Sequence, residues 1–125
     1  MALTGSSKEN KRAIGGGYEK QAAEYLVAKG YRILESNYRC RMGEIDLIAM
    51  DSETLVFVEV KYRRNLAGGG PTAAVGYKKQ RKISSVASYY LLTHFGSLER
   101  LCRFDVIGIT PDSVEHIINA FDFTR

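Results

Sequence analysis

The sequence predicts an α/β domain, a mixed central β-sheet of about five strands flanked by two main helices. Three observations predict it. Candidate elements follow one another as helix, three strands, helix, two strands, an order that suits a sheet covered by helices. Residues 44–50 (EIDLIAM) and 55–62 (LVFVEVKY) are the clearest strands, and the polar tetrad between them reads as a hairpin loop. With 45% hydrophobic and 26% charged residues in 125, the composition excludes a disordered chain, a collagen-like repeat and a coiled coil. It leaves enough apolar surface for one core without disulfide staples.

Each element has its own signal. Residues 1–14 carry Lys8, Lys11 and Arg12 among small polar residues and read as a loose basic tail, leaving 15–125 as a single domain. Over 17–29, Ala22, Ala23 and Leu26 fall at helical spacing, and Gly30 is a stop signal. Residues 31–38 (YRILESNY) alternate loosely, like a strand, and 39–43 turn into the hairpin. The run 65–71 (NLAGGGP) is a flexible break, after which Thr72 offers a cap for a second helix reaching about Thr93. Its apolar face is Ile83, Val86, Ala87, Tyr90 and Leu91. Two final strands, 101–109 and 114–121, flank a turn that Pro111 starts.

Other classes are excluded more briefly. No apolar run approaches the ~20 residues of a membrane helix. The polar start of the chain lacks the apolar centre of a signal peptide, so the cytoplasm is the expected address. Cys40 and Cys102 sit in strand-like segments without CxxC or zinc-ligand spacing, which predicts reduced, buried thiols. Eighteen Lys and Arg against fourteen Asp and Glu give a net charge of +4, compatible with an anionic partner.

The placement of charge is more telling. Residues 55–62 are apolar at six of eight positions, as in a strand covered on both faces, yet Glu59 and Lys61 share a face with Leu55 and Phe57. Burying an ionised carboxylate is costly unless it is paired or coordinates a metal. If 51–54 form the hairpin loop, Met50 faces Leu55, Asp46 faces Glu59 and Glu44 faces Lys61. Like charges directly opposed repel, and a divalent cation converts that repulsion into attraction. On the first helix Glu19 lies on the stripe of Ala22 and Ala23; on the second, Lys79 and Gln80 lie on the stripe of Ile83. Four carboxylates (Glu19, Glu44, Asp46, Glu59) against Lys61 and Lys79 leave two negative charges, which one divalent cation balances. Oxygen donors without a His cluster favour Mg²⁺ or Mn²⁺ over zinc.

Asp46 followed by Glu59-Val60-Lys61 on the next strand resembles the PD-(D/E)XK signature of the restriction-endonuclease-like fold, with Ile45 where that signature has a loosely kept proline. A larger set resembles the YraN-like family of small bacterial proteins: Gly17-Tyr18-Glu19, Gly30-Tyr31-Arg32-Ile33-Leu34, Asn37-Tyr38-Arg39, Gly43-Glu44-Ile45-Asp46-Leu47-Ile48 and Phe57-Val58-Glu59-Val60-Lys61-Tyr62-Arg63. The likeness continues through Gly70-Pro71, Ala74-Val75 and Lys79-Gln80-Arg81-Lys82-Ile83. It implies a restriction-endonuclease-like core related to Holliday-junction resolvases. By position it also implies that Glu19, Asp46 and Glu59 bind metal and that Lys61 serves the attacking water. Gln80 falls at a helix position often polar in such folds.

The chemistry expected is phosphodiester hydrolysis with Mg²⁺ or Mn²⁺ held by Asp46, Glu59, the Val60 carbonyl and Glu19. Basic residues surround these positions: Arg39, Arg41, Arg63, Arg64, Lys78, Lys79, Arg81 and Lys82, with Gln80 among them, form the expected nucleic-acid face. Duplex or branched DNA is the expected partner and no membrane is. Monomer and homodimer both stay open. Tyr38, Tyr62 and Tyr77 are read as packing more than as base-stacking residues, and His94 and His116 as isolated. Two other readings stand beside the nuclease. One is a non-catalytic DNA-binding adaptor in recombination or repair that keeps the fold; the other is a protein-interaction domain whose charge cluster is structural.

Overall fold

The computed structural model describes residues 7–64 and 75–124, with side chains from residue 17 onward. The chain runs α1 (Ser7–Ala28), β1 (Arg32–Cys40), β2 (Gly43–Asp51), β3 (Thr54–Tyr62), α2 (Tyr77–Phe95), β4 (Cys102–Thr110) and β5 (Ser113–Phe121). One five-stranded sheet has the order β1-β2-β3-β4-β5. Three neighbouring pairs are antiparallel, and β3 runs parallel to β4. A parallel neighbour needs a crossover, and α2 supplies it. The α/β class and the mixed five-stranded sheet are as the sequence predicts.

Alternation along the strands sorts the apolar residues onto two faces. Leu55, Phe57, Phe104 and Val106 pack with Ile83, Val86, Tyr90 and Leu91 of α2. Val56, Val58, Ile107 and Ile109 pack with Ala22 and Leu26 of α1. The hairpin register matches the expectation, with Met50 opposite Leu55 and Ile48 opposite Phe57. The loop itself is tighter than expected. Asp51 pairs with Thr54, so only Ser52 and Glu53 turn the chain, Ser52 with φ 55°.

Both helix starts differ from the sequence reading. The first helix begins at Ser7 rather than Gly17, taking in residues read as a tail; the Lys, Glu, Arg and Ala of that stretch are strong helix formers. Residues 1–6 and the glycine run 65–71 lie outside the described residues, as does Thr72. The second helix starts at Tyr77 with Gly76 as its N-cap. Gln80 Nε2 donates to the Val75 carbonyl at 2.9 Å, fastening the first turn from within. Gly96, in the left-handed region at φ 70°, ends α2 and donates its N–H to Leu92.

Cys40 and Cys102 are free thiols, as expected, but half-buried rather than buried. Among the described residues no helix is long and apolar enough to cross a membrane. His116 is not isolated. Its Nε2 lies 2.7 Å from Asp105, a fully buried carboxylate on the α1 side of β4. Arg103 reaches the same carboxylate at 3.0 Å, Tyr31 Oη at 2.7 Å and Asp51 at 3.2 Å, tying β4 to the end of the hairpin. Burial pushes the Asp105 carboxyl up, but hydrogen bonds from His116, Arg103 and the Asn119 N–H outweigh it and hold it below its usual value. That contribution is complete at neutral pH and is lost only as pH falls below the ordinary carboxylate range. Asp105→Ala strands Arg103 and His116, and urea denaturation at neutral pH is expected to show a loss of about 3–5 kcal/mol.

Candidate active site

The β2–β3 ladder closes with Leu47 opposite Val58. Beyond it the side-chain alternation of β2 slips: Ile45 packs under α2 with Ile48 and Met50, whereas Leu47 packs under α1. Asp46 stands at the slip. Its Oδ2 accepts the Val60 N–H at 2.8 Å, so a side chain takes over where the backbone ladder ends. This anchors Asp46 against β3, within reach of Glu59. Gly43, three residues earlier, has φ +148°, and a Cβ there would meet the Val86 side chain of α2 at 3.3 Å. The strand therefore enters close beneath the helix that closes the site.

Glu59 is 5% exposed and its carboxylate meets Asp46. Lys79, from the first turn of α2, pairs directly with Glu59 Oε2, and Lys61 Nζ lies 3.8 Å from the same oxygen. Burial first, then the Asp46 charge, pushes Glu59 up to about 7 against the pull of Lys79. Burial also raises Asp46 to about 6; the Val60 N–H and Glu59 oppose it, and Glu19 reinforces it. Lys61 is lowered, first by burial and then by the charge of Lys79, with Glu59 opposing. Burial lowers Lys79 too, but its bond to Glu59 outweighs this and holds it above the ordinary value.

Glu19 of α1 completes the picture from the opposite side of the sheet. One carboxylate oxygen each from Glu19, Glu44 and Asp46 lie within 4.8 Å of one another. Glu44, counted in the sequence's charge balance but not among its expected metal ligands, is thus a member of the cluster. It does not meet Lys61 as the extrapolated register had it. It sits opposite Arg39 of β1 and pairs with it at 3.3 Å. Val60, expected to offer a carbonyl, contributes through its N–H.

Three carboxylates open on a cleft of about 590 Å³. Glu44, Asp46 and Glu59 line its sheet side, and Lys78, Lys79 and Lys82 its helix side. Arg41, Arg64 and Arg81 are exposed; Arg63 is half-buried, and its N–H donates to Ile109. Tyr62 stacks on Tyr18 at 4.2 Å and Tyr38 meets Tyr90 edge to face, while Tyr77 is 62% exposed. His94 is exposed and lies flat against Tyr90. The donor set is all carboxylate, hard oxygen crowded enough to resist ionisation, and this fits Mg²⁺ or Mn²⁺.

A family model described as Uncharacterised protein family UPF0102 matches residues 18–109. The chain belongs to that family. A UPF0102 protein of Lachnoclostridium phytofermentans is 48% identical over 113 residues, 90% of this chain and 96% of the relative. One from Psychromonas ingrahamii is 50% identical over 105 residues, 82% of this chain and 84% of the relative. A third, from Geobacter sulfurreducens, is 47% identical over 123 residues, covering 94% and 95%. The UPF0102 span contains Glu19, Glu44, Asp46, Glu59, Lys61 and Lys79, all six residues of the charge cluster.

The raised carboxyls have a consequence for stability. Between about pH 4 and pH 7 the folded chain holds protons at Asp46 and Glu59 that the unfolded chain has released, so their effect on stability worsens as pH rises through that window. In chelator, Glu59→Gln is expected to stabilise the protein at pH 8 by roughly 1–3 kcal/mol and by almost nothing near pH 4. Thermal denaturation at the two pH values checks this. Equal gains at both would show that Glu59 carries no such proton.

Proposed function

We propose that this chain is a metal-dependent nuclease that hydrolyses DNA phosphodiester bonds, with duplex or branched DNA as its substrate. The observation carrying this reading is that Asp46 and Glu59, both buried enough to resist ionisation, face each other beside Lys61 at the floor of a lysine-lined cleft. Packing alone supplies no reason for that arrangement, since apolar residues at the same positions would fold at lower cost.

Asp46, Glu19 and Glu44 would hold the cation, with Glu59 adjoining them. When bound, Mg²⁺ or Mn²⁺ polarises a phosphoryl oxygen and makes its bound water more acidic. Lys61, its pKa lowered by burial and by Lys79, orients the attacking water and steadies charge developing on the phosphoryl group. Asp46 is held rigidly by the Val60 N–H, so its carboxylate keeps its position through the reaction. Lys78 and Lys82 in the cleft, with Arg41 and Arg64 exposed nearby in sequence, attract the phosphate backbone by charge, which gives affinity without choice of sequence.

The test is cleavage of single-stranded, duplex, flap and four-way DNA by the purified protein in Mg²⁺ or Mn²⁺. Asp46→Ala, Glu59→Ala and Lys61→Ala are each expected to lower the rate by at least about 10²-fold. Cleavage that survives these changes, or is absent from the parent protein, sinks the nuclease reading. One observation favours the adaptor instead: Glu59 already has two lysines to balance it. An adaptor would bind DNA with strong salt dependence, hydrolyse nothing, and keep its affinity in the same variants.

A further inference from the structure

Two ammonium groups crowd one oxygen of Glu59, and they differ in kind. Lys61 shares the strand with Glu59, and its Nζ stands 3.8 Å from Oε2, beyond hydrogen-bonding range. Lys79 comes from across the cleft and is in direct contact with Oε2. Its side chain is 46% exposed, whereas that of Glu59 is 5% exposed. The carboxylate is therefore enclosed in the sheet, and the lysine is the partner with room to leave, on a long, rotatable stem.

Lys79 is also not what fastens α2 in place. Gln80 secures the first turn to Val75, and Ile83, 3% exposed, seats the next turn in the core. The Lys79 ammonium thus serves the charge cluster. A buried carboxylate without a partner is costly, and Lys79 supplies that partner from the helix side of the cleft, across from Glu44 and Asp46.

We propose that Lys79 is a built-in stand-in for the divalent cation, holding Glu59 Oε2 while the site is metal-free and swinging into the cleft when a cation held by Asp46, Glu19 and Glu44 comes to lie beside that oxygen. This rests on the metal-dependent reading above. In the cleft the released ammonium joins Lys78 and Lys82, where a substrate phosphate is its natural partner. Metal and phosphate binding are thereby coupled: the ion frees the lysine, and the phosphate keeps it from returning.

The experiment is calorimetric titration of the folded protein with Mn²⁺ alone, without DNA. Lys79→Met is expected to bind Mn²⁺ roughly tenfold more tightly, because a competing positive charge in direct contact has gone. Lys82→Met, in the same cleft without that contact, is expected to change the affinity by less than about twofold. In the parent protein, the Lys79 side-chain methylene resonances should move on saturation with Mg²⁺ while those of Lys82 stay; this readout holds even if Lys79→Met fails to fold. Unchanged or weaker Mn²⁺ binding by a folded Lys79→Met protein overturns the proposal, as does a stationary Lys79 signal, and either leaves the metal site standing. A parent protein that takes up no Mn²⁺ overturns the metal reading and this inference together.

Discussion

A buried carboxylate, Glu59, pressed against a half-buried one, Asp46, sets the character of this protein. Asp46 and Glu59 resist ionisation because burial disfavours their charged forms, and the Asp46 charge pushes Glu59 further up. The surrounding features answer that problem. The Val60 N–H turns toward Asp46, Lys79 reaches from α2 to Glu59, and Lys61 waits on the same strand. Charges this close, buried and imperfectly balanced, are what a reactive centre needs and what a merely stable core avoids.

The sheet makes the arrangement possible by ending unevenly. Through the middle of β3 the residues alternate cleanly between the α2 and α1 cores. At the end bearing Glu59 the ladder with β2 stops, and a side-chain acceptor takes the place of a backbone carbonyl. Polar groups from both helices converge there, Glu19 from α1 and Lys79 from α2. On the α1 face of β4, Asp105, Arg103, His116, Tyr31 and Asp51 form a second polar group whose charges are directly paired. The two groups differ in balance: Asp105 is held below its usual value by its partners, whereas Asp46 and Glu59 stay above theirs.

Membership of the UPF0102 family covers every residue of the charge cluster. Fold and family alone do not assign a reaction, since one architecture hosts many chemistries. The functional reading therefore rests on the carboxylates and on the lysines facing them. Lys79 illustrates why geometry matters here: a lysine on a basic helix looks like a phosphate contact until its ammonium is found on Glu59.

The sequence by itself determined the succession of elements, the hairpin register and the apolar face of α2, because these follow from short-range periodicity that each segment carries in its own residues. It also placed Asp46, Glu59 and Lys61 near one another, since strand pairing propagates from the turn. Only the tertiary structure decided that Glu44 answers Arg39 rather than Lys61, because the β2–β3 ladder ends before it and β1 lies on its other side. It likewise decided that Gln80 fastens a helix turn and that His116 supports Asp105. Those contacts join segments far apart in the chain, and a spacing rule holds no information about which distant residue a side chain will meet once the helices settle on the sheet.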